Sequence, residues 1–366
     1  MPSVAGPRPG ATLITGLPAA LVVWLAAAIV VAYLGGWFGL TLVPAFVAVS
    51  AFAVTAVGWI SLPPSGRELS GSTWWWAVVV VASLVGLFAA AWPSLLPPGG
   101  ASDLTHHLML VDVLDRSRHL VDGAAAEAAL GEMAHYTPGL HLLIVVAGSL
   151  LGVEAYRASY PLLALTVALK AGFVFLIALD AVTGVRGRVA LAIAAVGLVL
   201  CAPHAYSVDG FLQAGFYAQV ASELFVVAGW WGLGRWWIAP HRAWMGFIGL
   251  MGAAVFLVWP IWIGPLMVAA AMAILMKREL PLTTRATSIL MATLPFAAVA
   301  ALHLSQHAAW VRMAGTSGAV PAFVVGPTVV VLIVLAMAGL VTSLKRQTAL
   351  VTLWFLMGVV LQAAGS

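Results

Sequence analysis

The sequence predicts an all-helical, polytopic membrane protein. Hydrophobic residues make up 63% of the 366 positions and charged residues only 8%, whereas a soluble domain is about half apolar and about a quarter charged. The apolar residues form long runs without two-residue alternation, which favours transmembrane helices over a β-barrel. Because unpaired backbone groups are costly in lipid, each span is expected to be helical.

Eleven apolar segments are predicted to cross the membrane: 11–34, 36–60, 74–97, 159–182, 188–203, 216–234, 243–258, 261–276, 287–304, 320–342 and 349–363. The first is long enough to span and follows a short polar lead, so no cleavable signal peptide is expected. Trp259-Pro260 is predicted to separate two short helices. Cys201 is the single cysteine, which excludes an intrachain disulfide.

A further apolar segment, residues 139–153, is assigned by the distribution of basic residues. With a cytoplasmic N-terminus and a segment that does not cross, most Lys and Arg residues fall in the cytoplasm. They are Arg8, Arg67, Arg186, Arg188, Arg235, Arg242, Lys277, Arg278, Arg285, Lys345 and Arg346. If the segment crossed, the last nine would be outside. We therefore predict one juxtamembrane helix that does not cross, and a location in a bacterial cytoplasmic membrane.

This topology divides the chain into three parts. Residues 1–97 form three N-terminal spans, residues 98–158 form a first extracytoplasmic loop with surface helices, and residues 159–366 form the remaining helix bundle. Acidic residues and histidines concentrate in the loop. Seven of the 12 acidic residues lie there, and five of the nine histidines share the same stretch.

Three residues at the start of this loop are candidates for chemistry. On a helix through the segment, Asp103, His106 and His107 fall on the face that packs inward, whereas the later charges from Asp112 onward form a solvated face. Buried ionisable groups need partners or a function. Helix capping by Asp103, interfacial packing of the histidines and metal ligation by all three are the alternatives.

The segment His135-Tyr136-Thr137-Pro138-Gly139-Leu140-His141 is predicted to begin the helix that does not cross. Proline suits a first helical turn, and a free helix N-terminus attracts anions such as phosphate. His135 and His141 flank this N-terminus. The alternative interpretation is a simple turn with aromatic anchors at the membrane interface.

Further candidates lie at the other extracytoplasmic loops and inside the spans. Asp209 lies in the second loop. His303, His307 and Arg312 lie at the third, and they are either phosphate ligands or interface anchors. Lys170 and Glu223 fall within predicted spans, where ionisable residues are functional candidates. We expect either that these two pair across helices or that Glu223 lies in a cavity for a lipid phosphate.

These motifs resemble those of the GT-C superfamily of integral membrane glycosyltransferases, over about residues 85–235. The matching segments are Asp103-Leu104-Thr105-His106-His107, Tyr136-Thr137-Pro138-Gly139-Leu140-His141 and Tyr206-Ser207-Val208-Asp209-Gly210-Phe211. The resemblance implies a GT-C-like helical core. It also implies transfer of a sugar from a polyprenyl-phosphate donor to an extracytoplasmic hydroxyl of a glycan or lipid acceptor.

The resemblance further implies that Asp103 is the general base and Asp209 a second catalytic acid. Substrate and phosphate contacts are then expected from His106, His107, His135, Tyr136, His141, Glu223, His303, His307 and Arg312. A divalent metal is a candidate cofactor, with Asp103, His107 and Asp209 as its candidate ligands. No nucleic-acid partner is expected, because the basic residues belong to cytoplasmic loops.

Two other functions are compatible with the sequence. A transporter or flippase of a lipid-linked or anionic substrate would use Lys170 and Glu223 near the membrane midplane. A non-catalytic partner in the assembly of a cell-envelope polysaccharide would use the same extracytoplasmic surface as a scaffold.

Overall fold

The computed structural model describes residues 16–62, 71–97, 102–121, 123–182, 186–201 and 210–307. Within these ranges the regular elements are all helical. They are α1 (Gly16–Trp37), α2 (Pro44–Ser61), α3 (Gly71–Ala90), α4 (Ser102–Ser117), α5 (Gly123–Leu130), α6 (Gly139–Leu151), α7 (Ala155–Ala181), α8 (Arg188–Cys201), α9 (Tyr217–Ile238), α10 (Arg242–Val258), α11 (Ile263–Met276) and α12 (Leu282–Gln306). Single 3₁₀ turns follow α5 and precede α11.

Five of the described helices are long and apolar enough to cross a membrane: α1, α2, α3, α7 and α12. Apolar stretches in α8, α10 and α11 are shorter, and α9 carries Glu223 and Arg235 along its 22 residues. The prediction of a helical membrane protein is therefore confirmed, with five spans identified by length and composition. The last two predicted spans, 320–342 and 349–363, lie outside the described residues.

Helix boundaries follow local sequence. Pro44 stands in the first turn of α2, where its missing N–H costs nothing. The N-terminus of α10 is capped by His241, whose Nδ1 accepts a hydrogen bond of 3.3 Å from the Ala243 N–H. That helix ends at Val258, because a residue before proline disfavours helical geometry and Pro260 follows Trp259. The predicted break at Trp259-Pro260 is present.

Contacts between helix ends define two ends of the bundle. Arg235 at the end of α9 bonds to Asp180 at the end of α7 over 2.6 Å, and Lys277 after α11 donates to the Trp237 carbonyl. The C-terminal ends of α7, α9 and α11 therefore lie together. We call this the basic end, after its residues Arg186, Arg188, Arg235, Arg242, Lys277, Arg278 and Arg285. The opposite end is called the histidine end.

Helix α6 begins beside the end of α10 and ends next to the start of α7. Its first residue, Gly139, packs so closely against the Leu257 carbonyl near the end of α10 that a Cβ there would be 2.6 Å from the oxygen. Gly152 ends α6 in the left-handed conformation, with φ of 67°, and α7 starts three residues later. Thirteen residues span only about 20 Å, less than the roughly 30 Å hydrocarbon core. The preceding segment meets α6 at 111°. By length and composition, this bent pair fits either a re-entrant segment or one broken span, so the assignment of α6 as a helix that does not cross stays a prediction.

Candidate functional site

Three polar side chains form a chain of hydrogen bonds at the histidine end. Asp103 in the first turn of α4 is 3.2 Å from His107 Nε2, and His107 Nδ1 is 2.9 Å from His141 Nε2 on α6. The Asp103 side chain is 41% exposed, the His107 side chain 4%, and His141 is completely buried. We call these three residues the Asp–His–His relay. It runs from a solvent-accessible carboxylate into the protein.

Helical spacing explains the outer half of the relay. Residues four apart share a face of a helix, so the side chains of Asp103 and His107 meet. The same face continues along α4 with the buried Leu110 and Leu114. His106 is exposed on the same helix. The prediction that His106 packs inward beside Asp103 and His107 is wrong, because a single residue step turns a helix by about 100°.

Aromatic rings enclose the imidazoles of the relay. The Tyr136 ring stands edge-on to His107 and His141, with centroids 5.6 and 5.7 Å away. The Tyr217 ring stacks on His107 at 6.2 Å, and the Trp259 ring lies 5.7 Å from Tyr136. The two imidazoles are themselves stacked at 5.1 Å. These rings exclude water from the inner part of the relay and restrict its rotamers.

Electrostatics favour a neutral His141. Burial, and next the neighbouring His107, lower the pKa of His141 well below its ordinary value of 6.5. His107 lies between the Asp103 carboxylate and His141, and the tautomers of the two rings set which nitrogen donates in each hydrogen bond. The two imidazoles thus form consecutive hydrogen bonds, so that His141 orients His107 and His107 orients Asp103.

A second group of histidines lies at the ends of α1 and α12. Tyr33 Oη is 3.2 Å from His303 Nδ1, and the His303 ring lies 4.8 Å from that of His307. The His307 ring is 5.9 Å from that of His135, which forms an ion pair with Glu127 over 3.1 Å. We call these five residues the second histidine cluster. It joins chain segments as far as 270 positions apart.

The relay and the second histidine cluster are neighbours in the described part of the chain, and a small cavity lies beside both. Between them lies a cavity of about 10 Å³, lined by Tyr33, Tyr136, Pro138 and His307 among others, which is room for about one water molecule. The predicted catalytic residue Asp209 and the predicted phosphate ligand Arg312 lie outside the described residues. The structure therefore gives no distance from these two residues to the relay or to the second histidine cluster.

The two ionisable residues inside the predicted spans form an ion pair. Lys170 Nζ on α7 contacts Glu223 Oε2 on α9, with 2% and 16% of the side chains exposed. Of the two expectations for Glu223, pairing across helices is the one found. The proposed phosphate contact of Glu223 would require this ion pair to open.

No group of three or more histidine, cysteine or acidic side chains in the described ranges has the spacing of a metal site. Two of the candidate metal ligands, Asp103 and His107, bond directly to each other instead. The third, Asp209, is not described.

Comparison of the chain with protein-family models, with characterised proteins and with solved structures finds no match. The class of protein defined by the fold is thus a helical membrane protein, and its function rests on the geometry of the site. Sequence reasoning missed Tyr33 and the stacking of Tyr217 on His107. Both are single tyrosines near span ends, where an aromatic belt is the ordinary explanation.

Proposed function

We propose that this protein is a membrane glycosyltransferase of the bacterial cytoplasmic membrane. It moves a sugar from a polyprenyl-phosphate donor to a hydroxyl of a glycan or lipid acceptor on the extracytoplasmic side. Asp103 takes the acceptor proton while the acceptor oxygen bonds to the anomeric carbon. The bond from that carbon to the phosphate oxygen breaks, and the lipid phosphate leaves with the electron pair.

The observation that carries this proposal is the Asp–His–His relay with its accessible carboxylate. A general base needs one face open to substrate and a fixed orientation. Asp103 is partly exposed, and its inner side is held by the buried His107 and His141. The relay also lies at the end opposite the basic end. If basic residues mark the cytoplasmic side, Asp103 faces outward.

Two neighbouring features support a lipid-phosphate donor. The second histidine cluster borders the relay, and its partly exposed His135 and His307 suit the charge that develops on a leaving phosphate. An almost wholly apolar cavity of about 360 Å³ lies between the end of α1 and the start of α2. The loop at its edge bonds to the end of α4 through Leu42 N and the Arg118 carbonyl, 2.7 Å apart. Part of a prenyl chain would fit there.

The experiment compares Asp103→Asn with Asp112→Asn in isolated membranes. Both residues lie on α4, but Asp112 is 51% exposed and pairs only with Arg116 at its surface. Transfer of radiolabelled sugar is measured from a panel of short-chain polyprenyl-phosphate sugars to endogenous acceptors. Asp103→Asn is expected to lower the rate by roughly 10²–10⁴-fold, and Asp112→Asn to leave it unchanged. Retention of more than about a tenth of the rate by Asp103→Asn, at an equal protein level, refutes the assignment of Asp103 as general base.

A second candidate function is transport of a lipid-linked or anionic substrate, and the Lys170–Glu223 pair favours it. Ionisable pairs within membrane helices commonly mark substrate or proton pathways. In proteoliposomes, this function predicts protein-dependent translocation of a fluorescent polyprenyl-phosphate lipid that Lys170→Met abolishes and Asp103→Asn leaves intact. The opposite pattern, no translocation with Asp103-dependent sugar transfer, supports the glycosyltransferase.

A further inference from the structure

The basic end carries an excess of positive charge. Its described residues include seven lysines and arginines but only two carboxylates, Asp180 and Glu279. They come from the ends of six helices, α7 to α12, which the contacts described above bring to one side. Charge of one sign on one side of a bundle sets up a field that attracts anions.

Two of the seven cations are built into the fold. Arg235 is 3% exposed, bonds to Asp180 and lies over the Trp231 ring at 5.3 Å. Lys277 donates to the Trp237 carbonyl and lies 4.6 Å from the centroid of the Trp237 ring. These contacts hold both groups within the protein, although the Nε and Nη1 atoms of Arg235 have no hydrogen-bond partner among the described residues. Tryptophan rings in such positions are typical of the headgroup level of a bilayer.

The other five cations make no such direct contacts, although Arg188 interacts electrostatically with Asp180 at longer range. No carboxylate in the described ranges lies within ion-pairing distance of Arg186, Arg188, Arg242, Arg278 or Arg285. The first four are exposed. Arg285 is partly buried, and its buried Nε has no hydrogen-bond partner among the described residues.

Arg278 and Arg285 flank the turn between α11 and α12. The first turn of α12 contains no acidic residue, so its positive helix end adds to the two guanidinium groups. The neighbouring Lys277 lies against the partly exposed Trp237 ring, and tryptophan is enriched at the headgroup level of bilayers. Guanidinium groups recognise phosphate through paired hydrogen bonds.

We propose that the basic end binds the phosphodiester headgroup of an anionic glycerophospholipid, with Arg278 and Arg285 at the centre of the site. This interaction is independent of the proposed glycosyltransferase activity. It selects anionic over zwitterionic lipid and fixes the level at which this end of the bundle meets the bilayer.

Native mass spectrometry of the full chain in detergent tests the proposal, with phosphatidylglycerol, phosphatidylcholine and inorganic phosphate as probes. Phosphatidylglycerol is expected to bind more tightly than phosphatidylcholine. Each basic residue near an anionic surface contributes roughly a fivefold factor in affinity. The double variant Arg278→Gln/Arg285→Gln is therefore expected to bind phosphatidylglycerol roughly 25-fold more weakly. The matched variant Arg116→Gln/Arg157→Gln, at the histidine end, is expected to keep wild-type affinity.

Three results overturn the proposal. One is equal affinity of the wild type and Arg278→Gln/Arg285→Gln for phosphatidylglycerol. Another is an equal loss in the matched variant, which would indicate a diffuse charge effect. The third is displacement of the lipid by an equimolar amount of inorganic phosphate, which would indicate a site for a free anion. If the double variant does not fold, the single variants Arg278→Gln and Arg285→Gln provide the test, and each is expected to weaken phosphatidylglycerol binding roughly fivefold.

Discussion

Removal of one partner of the Lys170–Glu223 ion pair is expected to destabilise the protein far more than removal of both. Lys170 is 2% exposed and Glu223 16%, so Glu223→Leu leaves an uncompensated lysine inside the bundle and Lys170→Met leaves the carboxylate without its lysine partner. Breaking a buried pair in this way costs about 3–5 kcal/mol, whereas replacing both partners by apolar residues is often close to neutral. Glu223→Leu is expected to cost more than Lys170→Met, because the lysine left behind is the more deeply buried group.

The assay is the free energy of unfolding in mixed micelles, titrated with denaturing detergent, for both single variants and for Lys170→Met/Glu223→Leu. The double variant is expected to lose less free energy than either single variant. Arg116→Met is the control, because its pair with Asp112 is 80% and 51% exposed and is worth about 0–1 kcal/mol. A double variant that loses the sum of the two single losses refutes the reasoning, as does a single loss no larger than that of the control.

Two further predictions concern packing and pH. Gly249→Ala is expected to cost about 1–3 kcal/mol of unfolding free energy, because the added Cβ would press into the Met291 carbonyl oxygen. Gly246→Ala on the same helix is the control, since its Cβ would meet only the Met291 methyl group at 3.6 Å. Equal losses for the two variants in the same detergent titration would contradict this prediction. Burial lowers the pKa of His141 below 6.5, so the unfolded chain gains a proton that the folded protein does not as the pH falls through about 6.5. Stability is then present above that pH and is lost below it, at up to about 1.4 kcal/mol per pH unit. Between pH 7.5 and 5.5, His141→Gln is expected to lose less unfolding free energy than the wild type, whereas substitution of the exposed His106 by Gln is expected to leave the pH dependence of stability unchanged. Identical pH profiles for His141→Gln and the wild type would show that His141 does not cause the loss.

Local periodicity predicted one half of the Asp–His–His relay and failed at the other half. The four-residue spacing of Asp103 and His107 on a helix places them together, as the structure shows. The partner of His107 on the inner side, His141, lies 34 positions away on a separate helix. No pattern within α4 or α6 encodes that meeting. It depends on the 111° turn before α6 and on the packing of Gly139 against α10.

The distribution of basic residues in the chain distinguishes between the two interpretations of α6, which the composition of α6 itself does not. The residues of α6 are as apolar as those of a span, and 139–153 could be interpreted as either type of helix. The positions of the basic residues elsewhere in the chain predicted that it does not cross, and the 111° bend before α6 fits either a re-entrant segment or a broken span. The constraint is global, since each added crossing would invert every later loop.

The hydrogen bond between Tyr33 and His303 has a consequence for the order of assembly during synthesis. Its partners are separated by 270 positions, so α1 enters the membrane long before the end of α12 has been translated. Until the end of α12 has been translated, Tyr33 and His135 lack the residues that complete the second histidine cluster. A nascent chain that stops before α12 would therefore carry the first helix and the relay but an incomplete second histidine cluster. Completion of this cluster is coupled to the late arrival of α12, and premature termination leaves Tyr33 without its partner His303.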